Sequence, residues 1–406
     1  MRELLQSKLS KPGMRRWLNF AFLPALISIL AAGGYAAAQN SSGAATAQSQ
    51  QQDQQQTTDT KPKKKDKKKD DQESAKKEVE QEAAAELPAV LWMDRGDISQ
   101  LDMIGGEGGA KDFPDPNMIY TFVEEDMNGT STKFYVTDAD GMKWLVKIGT
   151  EAQPETVATR FVWAMGYYTD IDYFEPEIHV KNLPKLKRDM HGSSPKTGIV
   201  PDARLKREGE GSKKLESWSW FDNPFVGTRE FNGLRIMMAL LNNWDLKTDN
   251  NKVYVVHGER RFVVSDLGAS FGKTGTPIYP MPLHMPISHA TKGDLSDYES
   301  SKFIKDETST TVSFVMRTGA PFFVRPFSRS YFHEYKQMEN IEDDIPIADA
   351  RWIGARLAQL TQKQLVDAFR AAGYLPEEAQ AYAMVVQKRI VDLNHLPGNT
   401  TATDPQ

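Results

Sequence analysis

Between residues 251 and 266 apolar side chains fall on alternate positions. Val253 and Val255, then Phe262 and Val264, have more polar neighbours, with His257-Gly258-Glu259 between the two runs. Period-two alternation broken by a glycine-containing triplet predicts two short antiparallel strands and a tight turn. With the turn centred on Gly258 and Glu259, Asn251 falls opposite Asp266 and Asn250 opposite Leu267. The Asn250 amide and the Asp266 carboxylate are therefore expected to converge. A second alternating stretch, KFYVTDADGMKWLVKI at 133–148, predicts another hairpin with Asp140-Gly141 in its turn. That turn sets Lys147 opposite Phe134 and on the face of Leu145 and Val136. An ammonium on an otherwise apolar surface needs an anionic partner. The plainer alternative is a lysine at a strand end whose head reaches water.

Helical spacing takes over elsewhere. Phe231, Leu234, Met238 and Leu241, with Met237 and Trp244 alongside, predict a buried helix face across 228–244. Asp245 follows its C-terminus, where a carboxylate meets the negative end of the helix dipole at a cost of roughly 0.3–1 kcal/mol. Residues that break such a rule are disproportionately functional. A further helix is predicted from Pro154 to about Gly166, with Val157, Phe161 and Met165 on one face and Glu155 in the first turn. Glu155 either complements the dipole of that helix or pairs with Lys147. Residues 353–393 alternate helical patterns, punctuated by Gly373 and Pro376.

The polar residues between these elements suggest chemistry. Oxygen donors from Asn250 and Asp266 suit a hard cation such as Mg²⁺, which keeps waters and takes its remaining ligands from substrate phosphates. Asp245 is placed to orient an attacking hydroxyl and accept its proton, and Lys247 to neutralise a phosphoryl group. The competing reading is a surface turn, which uses Asp, Asn and Lys in any case. Beside Lys147 lies a small-residue loop, Gly129-Thr130-Ser131-Thr132, whose backbone and hydroxyl donors suit phosphate.

Asp245-Leu246-Lys247-Thr248-Asp249-Asn250 resembles the catalytic loop of the protein-kinase superfamily, with Asn243-Trp244 where protein kinases usually carry His-Arg. Asp266-Leu267-Gly268 resembles the DFG metal-binding turn, and Leu145-Val146-Lys147-Ile148 the strand that carries the ATP-binding lysine. The order of these motifs is nearer to HipA-type kinases and phosphoinositide-kinase-like folds than to typical eukaryotic protein kinases. The resemblance covers roughly 118–271. It implies an α+β, two-lobed fold with a small antiparallel-sheet N-lobe and a mainly helical C-lobe. It also implies ATP and Mg²⁺, with Lys147, Gly129, Thr130 and Ser131 at the phosphates, Glu155 orienting Lys147, Asn250 and Asp266 on the metal, and Asp245 and Lys247 catalytic. The chain departs from the pattern in three ways: it has Gly129 but no GxGxxG, the link from Lys147 to Glu155 is short, and 188–223 reads as a polar insertion.

The chain begins with a basic segment ending Arg15-Arg16, then an apolar run at 17–34 and the small residues of 35–38. This order predicts a secretory signal peptide, 1–38, by an ordinary or a twin-arginine route. A run of about 18 residues is also near the minimum for a membrane anchor, although Asn19 and Pro24 inside it favour removal. Residues 39–86 are low in complexity and include KPKKKDKKKDD, which predicts a disordered linker able at most to make weak envelope contact. That leaves 87–396 for the kinase-like domain, with an N-lobe about 112–187, the insertion and a C-lobe at 224–396, and 397–406 as a flexible tail.

Among 406 residues, 50 Lys and Arg face 55 Asp and Glu, which gives no reason to expect nucleic acid. Zero cysteines removes disulfides, thiol nucleophiles and zinc-thiolate sites together. No HExxH is present, and His284 and His289 lie in a proline-rich stretch, 273–300, in the place of a kinase activation segment. The expectation is an exported kinase-like phosphotransferase moving the γ-phosphate of ATP to a hydroxyl acceptor. That acceptor is a protein, lipid headgroup, sugar or small molecule. The alternatives are a pseudokinase binding module and a nucleotidyl transferase on the same fold.

Overall fold

Apolar side chains at every second position of five strands turn inward and close a barrel. In this computed structural model, which describes residues 84–129, 131–188, 197–208, 213–273, 276–277, 286–288, 290–315 and 341–397, the fold is α+β. The expected signal peptide, almost all of the linker, the tail, Thr130, His284 and His289 lie outside the described residues. A two-residue strand β1 (Ala89–Val90) precedes β2 (Ile119–Asp126), β3 (Thr132–Thr137) and β4 (Lys143–Ile148). Helix α1 (Ala152–Ala164) follows, then β5 (Tyr168–Thr169), β6 (Asp172–Lys181) and β7 (Ile199–Arg207). The barrel order is β2-β3-β4-β7-β6, with β6 returning parallel onto β2. Phe134, Val136, Trp144, Val146, Tyr173 and Leu205 fill its interior.

Two expectations change here. The first hairpin pairs Phe134 with Val146 and Lys147 with Lys133, one residue away from the predicted register. The cause is Asp138, whose carboxylate accepts from the Asp140 and Met142 amides and the Trp144 indole, so the loop spans 138–142. A one-residue slip flips a strand's faces. Val136 therefore points into the barrel, and Lys147 shares the outer face with Lys133 and Leu145. Secondly, the polar stretch 188–223 is not an insertion outside the barrel. Its residues 199–207 form β7, which sits between β4 and β6. Ala203 and Leu205 point inward, while Arg204 and Lys206 take the outer face, which is why the segment reads as polar.

Helix α1 starts at Ala152, two residues before the expected Pro154, and ends before Gly166. It is buried on every side rather than along one face, because the barrel covers one flank and the helical core the other. After β8 (Lys213–Lys214), helix α2 (Arg229–Leu241) begins with the Thr228 hydroxyl accepting from the Phe231 amide. It ends on Asn242 in the left-handed region (φ 52). The helix stops three residues short of the expected Trp244, so Asp245 lies further into the following loop than its place just after the predicted C-terminus.

Strands β9 (Asn251–Val256) and β10 (Glu259–Val264) form the second hairpin, extended by β8 on one side and by β1 and β5 on the other. Its turn is His257-Gly258, both at positive φ (52 and 79), and not Gly258-Glu259. The register therefore pairs Val256 with Glu259 and Asn251 with Val264, which leaves Asp266 two residues past the last pair. Helices α3 (Leu295–Ser300), α4 (Ile347–Leu357), α5 (Gln362–Arg370) and α6 (Pro376–Asn394) join α1 and α2 around a large apolar cluster separate from the barrel interior. No described helix is long and apolar enough to cross a membrane.

Candidate functional site

Lys147 closes the outer face of β4, only 2% exposed, and its ammonium meets three carboxylates. Glu151 Oε2 lies at 2.5 Å, Asp266 Oδ1 at 2.7 Å and Glu155 Oε2 at 2.9 Å. Local geometry explains the two glutamates. The Ala152 amide donates to the Gly149 carbonyl, so the chain reverses at once after β4. Glu151 then sits at the N-cap of α1 and Glu155 one turn later, on the same side of the helix. Asp266 arrives from a position 119 residues away, at the end of β10.

The charges continue inward with alternating sign. The second oxygen of Glu155 faces Arg204 Nη2 at 3.4 Å, and Arg204 Nη1 donates to Asp172 Oδ1 at 3.2 Å. Arg160 donates to the Asp172 carbonyl at 2.7 Å. Burial alone would pull the Lys147 ammonium down, but Glu155, Asp266 and Glu151 more than offset it and hold its pKa above the usual lysine range. Burial likewise acts to raise Glu151 and Asp266, and the Lys147 charge reverses this, keeping both below the usual carboxylate range, with Lys292 assisting at Glu151. Asp172 goes the other way. Burial outweighs Arg204 and pushes it up to about 7.

The turn that carries Asp266 is tightly specified. Asp266 itself lies at φ 55, a left-handed conformation uncommon for a residue with a side chain. At Gly268 a Cβ would come within 2.7 Å of Glu151 Cβ, so only glycine lets the turn approach the N-cap of α1. Ser270 and Phe271 then anchor the chain that follows. Phe271 (φ 57, fully buried) packs against Phe161, Tyr298, Phe369 and Tyr382.

Asp245, Lys247 and Asn250 form a second group. Asp245 Oδ1 pairs with Lys247 Nζ at 2.7 Å, and Lys247 is largely exposed. The Asn250 amide nitrogen donates to the Asp245 carbonyl at 2.8 Å, closing the loop on itself. The Trp244 amide donates to the Ala269 carbonyl, which ties this loop to the Asp266 turn. Asn250 therefore turns to Asp245 while Asp266 turns to Lys147. The oxygens that do cluster belong to Glu151, Glu155 and Asp266, all within 4.8 Å of one another, an all-carboxylate set that can hold a metal ion. Lys147 lies among them.

The small-residue loop contributes differently from expectation. Arg188 donates to the carbonyls of Met127, Asn128 and Gly129, which fixes the loop from outside. The Ser131 hydroxyl donates to Glu151 Oε2 at 3.0 Å, so Ser131 joins the Lys147 cluster. Glu151, Arg204, Asp172 and Lys292 escaped the sequence reading. Glu151 stands four residues before Glu155, and Arg204 alternates with Ala203 and Leu205, so both left a signal. Lys292 left none, because tertiary structure alone brings it to the site. Between β10, β5 and the outer face of β7 opens a cavity of about 320 Å³, lined by Tyr168, Thr169, Ile171, Lys206, Tyr254 and Val263 and by no residue of the Lys147 cluster.

No family model and no curated protein matches this chain. Among solved structures, the crystal structure of a Helicobacter pylori proinflammatory kinase, CtkA, is similar over 68% of this chain and 96% of that chain, with 10% sequence identity and a TM-score of 0.39.

Proposed function

We propose that the chain is a kinase-like phosphotransferase of two-lobed architecture, nearest to HipA-type and phosphoinositide-kinase-like folds, that moves the γ-phosphate of ATP to a hydroxyl acceptor. The observation that carries this reading is the 2.7 Å pair between Lys147 and Asp266, which joins the two motifs that a phosphate-handling site needs. Lys147 holds the phosphates, and Glu155, itself fixed by Arg204, orients it. Asp245 takes the proton of the acceptor hydroxyl, with Lys247 as its charge partner. The hard oxygen set of Glu151, Glu155 and Asp266 suits Mg²⁺, with Asn250 as the further donor in the adjoining loop. Mg²⁺ when bound would neutralise phosphate charge. Gly129 and Ser131 border the phosphate end, Thr130 being assigned there from the sequence alone, and the 320 Å³ cavity is of a size for a nucleoside. The leader at 1–38 supports export, with an uncleaved membrane anchor as the other route, and the lysine-rich linker at 61–71 supports weak envelope contact.

One observation favours a second reading, a kinase-fold binding module without chemistry. Lys147 is already surrounded by carboxylates, and the Gly129 carbonyl and Ser131 hydroxyl are engaged. The test incubates the full chain with Mg²⁺ and ATP labelled at the γ or the α position, beside an Asp266→Ala variant. Transfer of γ-label that the variant loses supports the phosphotransferase. Transfer of α-label means a nucleotidyl transferase, binding without transfer means the module, and absence of nucleotide binding refutes both transferase readings.

A further inference from the structure

The segment 290–294 is fastened to the chain that leaves the Asp266 turn. The Thr291 amide donates to the Lys273 carbonyl at 2.9 Å, and the Lys273 amide to the Thr291 hydroxyl at 3.0 Å. The Gly293 amide donates to the Ser270 carbonyl at 2.9 Å and the Asp294 amide to the Phe271 carbonyl at 2.8 Å. Asp294 also caps α3 by accepting from the Asp297 amide. This backbone holds the Lys292 side chain beside Glu151 at the N-cap of α1.

Lys292 pairs with Glu151, the same carboxylate that pairs with Lys147, and its ammonium lies 5.3 Å from the centre of the Trp244 ring. Trp244 is the residue before Asp245. Lys292 is thus the cation that spans the Lys147 cluster and the Asp245 loop. A phosphoryl group travelling from one to the other must pass through that interval. Glu151 offers two oxygens, one to each ammonium, and a phosphate oxygen is an acceptor of the same charge and reach.

We infer that Lys292 is a further catalytic residue, a cation that contacts the transferred phosphoryl group between Lys147 and Asp245, an assignment that rests on the phosphotransferase reading. In the step it serves, the acceptor hydroxyl oxygen forms a bond to the γ-phosphorus, and the bond from that phosphorus to the β–γ bridging oxygen breaks. The bonding pair leaves with ADP, and the hydroxyl proton goes to Asp245. Charge on the equatorial oxygens is what Lys292 offsets, so its contribution falls on the transition state more than on nucleotide binding.

The test compares the unsubstituted full chain with Lys292→Met and Lys292→Arg. It reads MgATP affinity by calorimetry, γ-phosphate transfer or hydrolysis by labelled product, and thermal melting. The expected result for Lys292→Met is MgATP affinity within about threefold of the parent with turnover reduced about a hundredfold, and partial recovery in Lys292→Arg. Unchanged turnover, a rise in turnover as for an inhibitory latch, or a loss of stability that accounts for the activity lost would each overturn the assignment. If the parent binds no MgATP, the phosphotransferase reading fails and takes the assignment with it. If the parent transfers phosphate and Lys292→Met transfers it equally well, only the assignment fails.

Discussion

At the residue scale the site is a balance of buried charges, and Asp172 shows where that balance is incomplete. Arg204 pairs with one of its oxygens, and the other, Oδ2, has no hydrogen-bond partner. Arg204, Glu155, Asp170 and Lys206 are the charges that act on it. Burial prevails, so a carboxyl that ordinarily titrates near 3.8 is pushed up to about 7. The folded chain then holds this proton more tightly than the unfolded one. Its contribution to stability is present at low pH and is lost as pH rises through that window. Urea denaturation at about pH 5 and about pH 7.5 is expected to show lower stability at the higher value, and Asp172→Asn to flatten part of the slope. Glu175, also pushed up to about 7, by burial and then Asp115, carries part of the remainder. The chemistry of this site was partly legible in the letters. Asp245, Lys247, Asn250, Lys147, Glu155 and Asp266 stand out because polar residues interrupt apolar patterns. Glu151 and Arg204 left only a faint signal, because an acid before a helix and bases on a strand look like ordinary solvated positions. Their roles depend on what packs above them.

At the element scale, turns decided what could be read. Alternation located both hairpins, but their registers depended on details that alternation does not encode. In the first, Asp138 organises a five-residue loop; in the second, His257-Gly258 takes the two-residue turn. Both central residues are left-handed, the geometry whose twist suits a two-residue hairpin. Histidine tolerates this conformation better than a β-branched residue does. His257→Val is therefore expected to cost about 1 kcal/mol in chemical denaturation, while His257→Asn leaves the midpoint essentially unchanged. An equal loss in both variants would point to the imidazole rather than the backbone. Strand β7 was missed for a different reason. Its outer face lies over α1, where Arg204 answers Glu155, so the signature of a buried strand is diluted by the site it helps to build.

At the scale of the whole molecule, the barrel and the helical cluster each close their own apolar interior, and α1 runs between them as a helix with no solvent face. Lys147 and Arg204 come from the barrel, Glu151 and Glu155 from the start of α1, and Asp266 and Lys292 from segments tied to the helical cluster. The fixed point of that second group is the Phe271 ring. Its carbonyl receives the Asp294 amide behind Lys292, and its chain leads back through Gly268 to Asp266. One aromatic side chain therefore sets the spacing of two charged groups that it does not touch. Phe271→Ala would remove about 3–5 kcal/mol of stability and leave an apolar void fit for a benzene-sized guest. Displacements of about 1 Å at a reacting centre cost about a hundredfold in rate. On the proposed phosphotransferase reading, turnover is expected to collapse in this variant and to recover on titration with benzene or indole, as measured by γ-label transfer. Recovery of melting temperature without recovery of turnover would count against it. The ring is then a port for chemical control: a solvent-sized aromatic molecule, absent from the reaction, would switch the chain on and off from the far side of its own core.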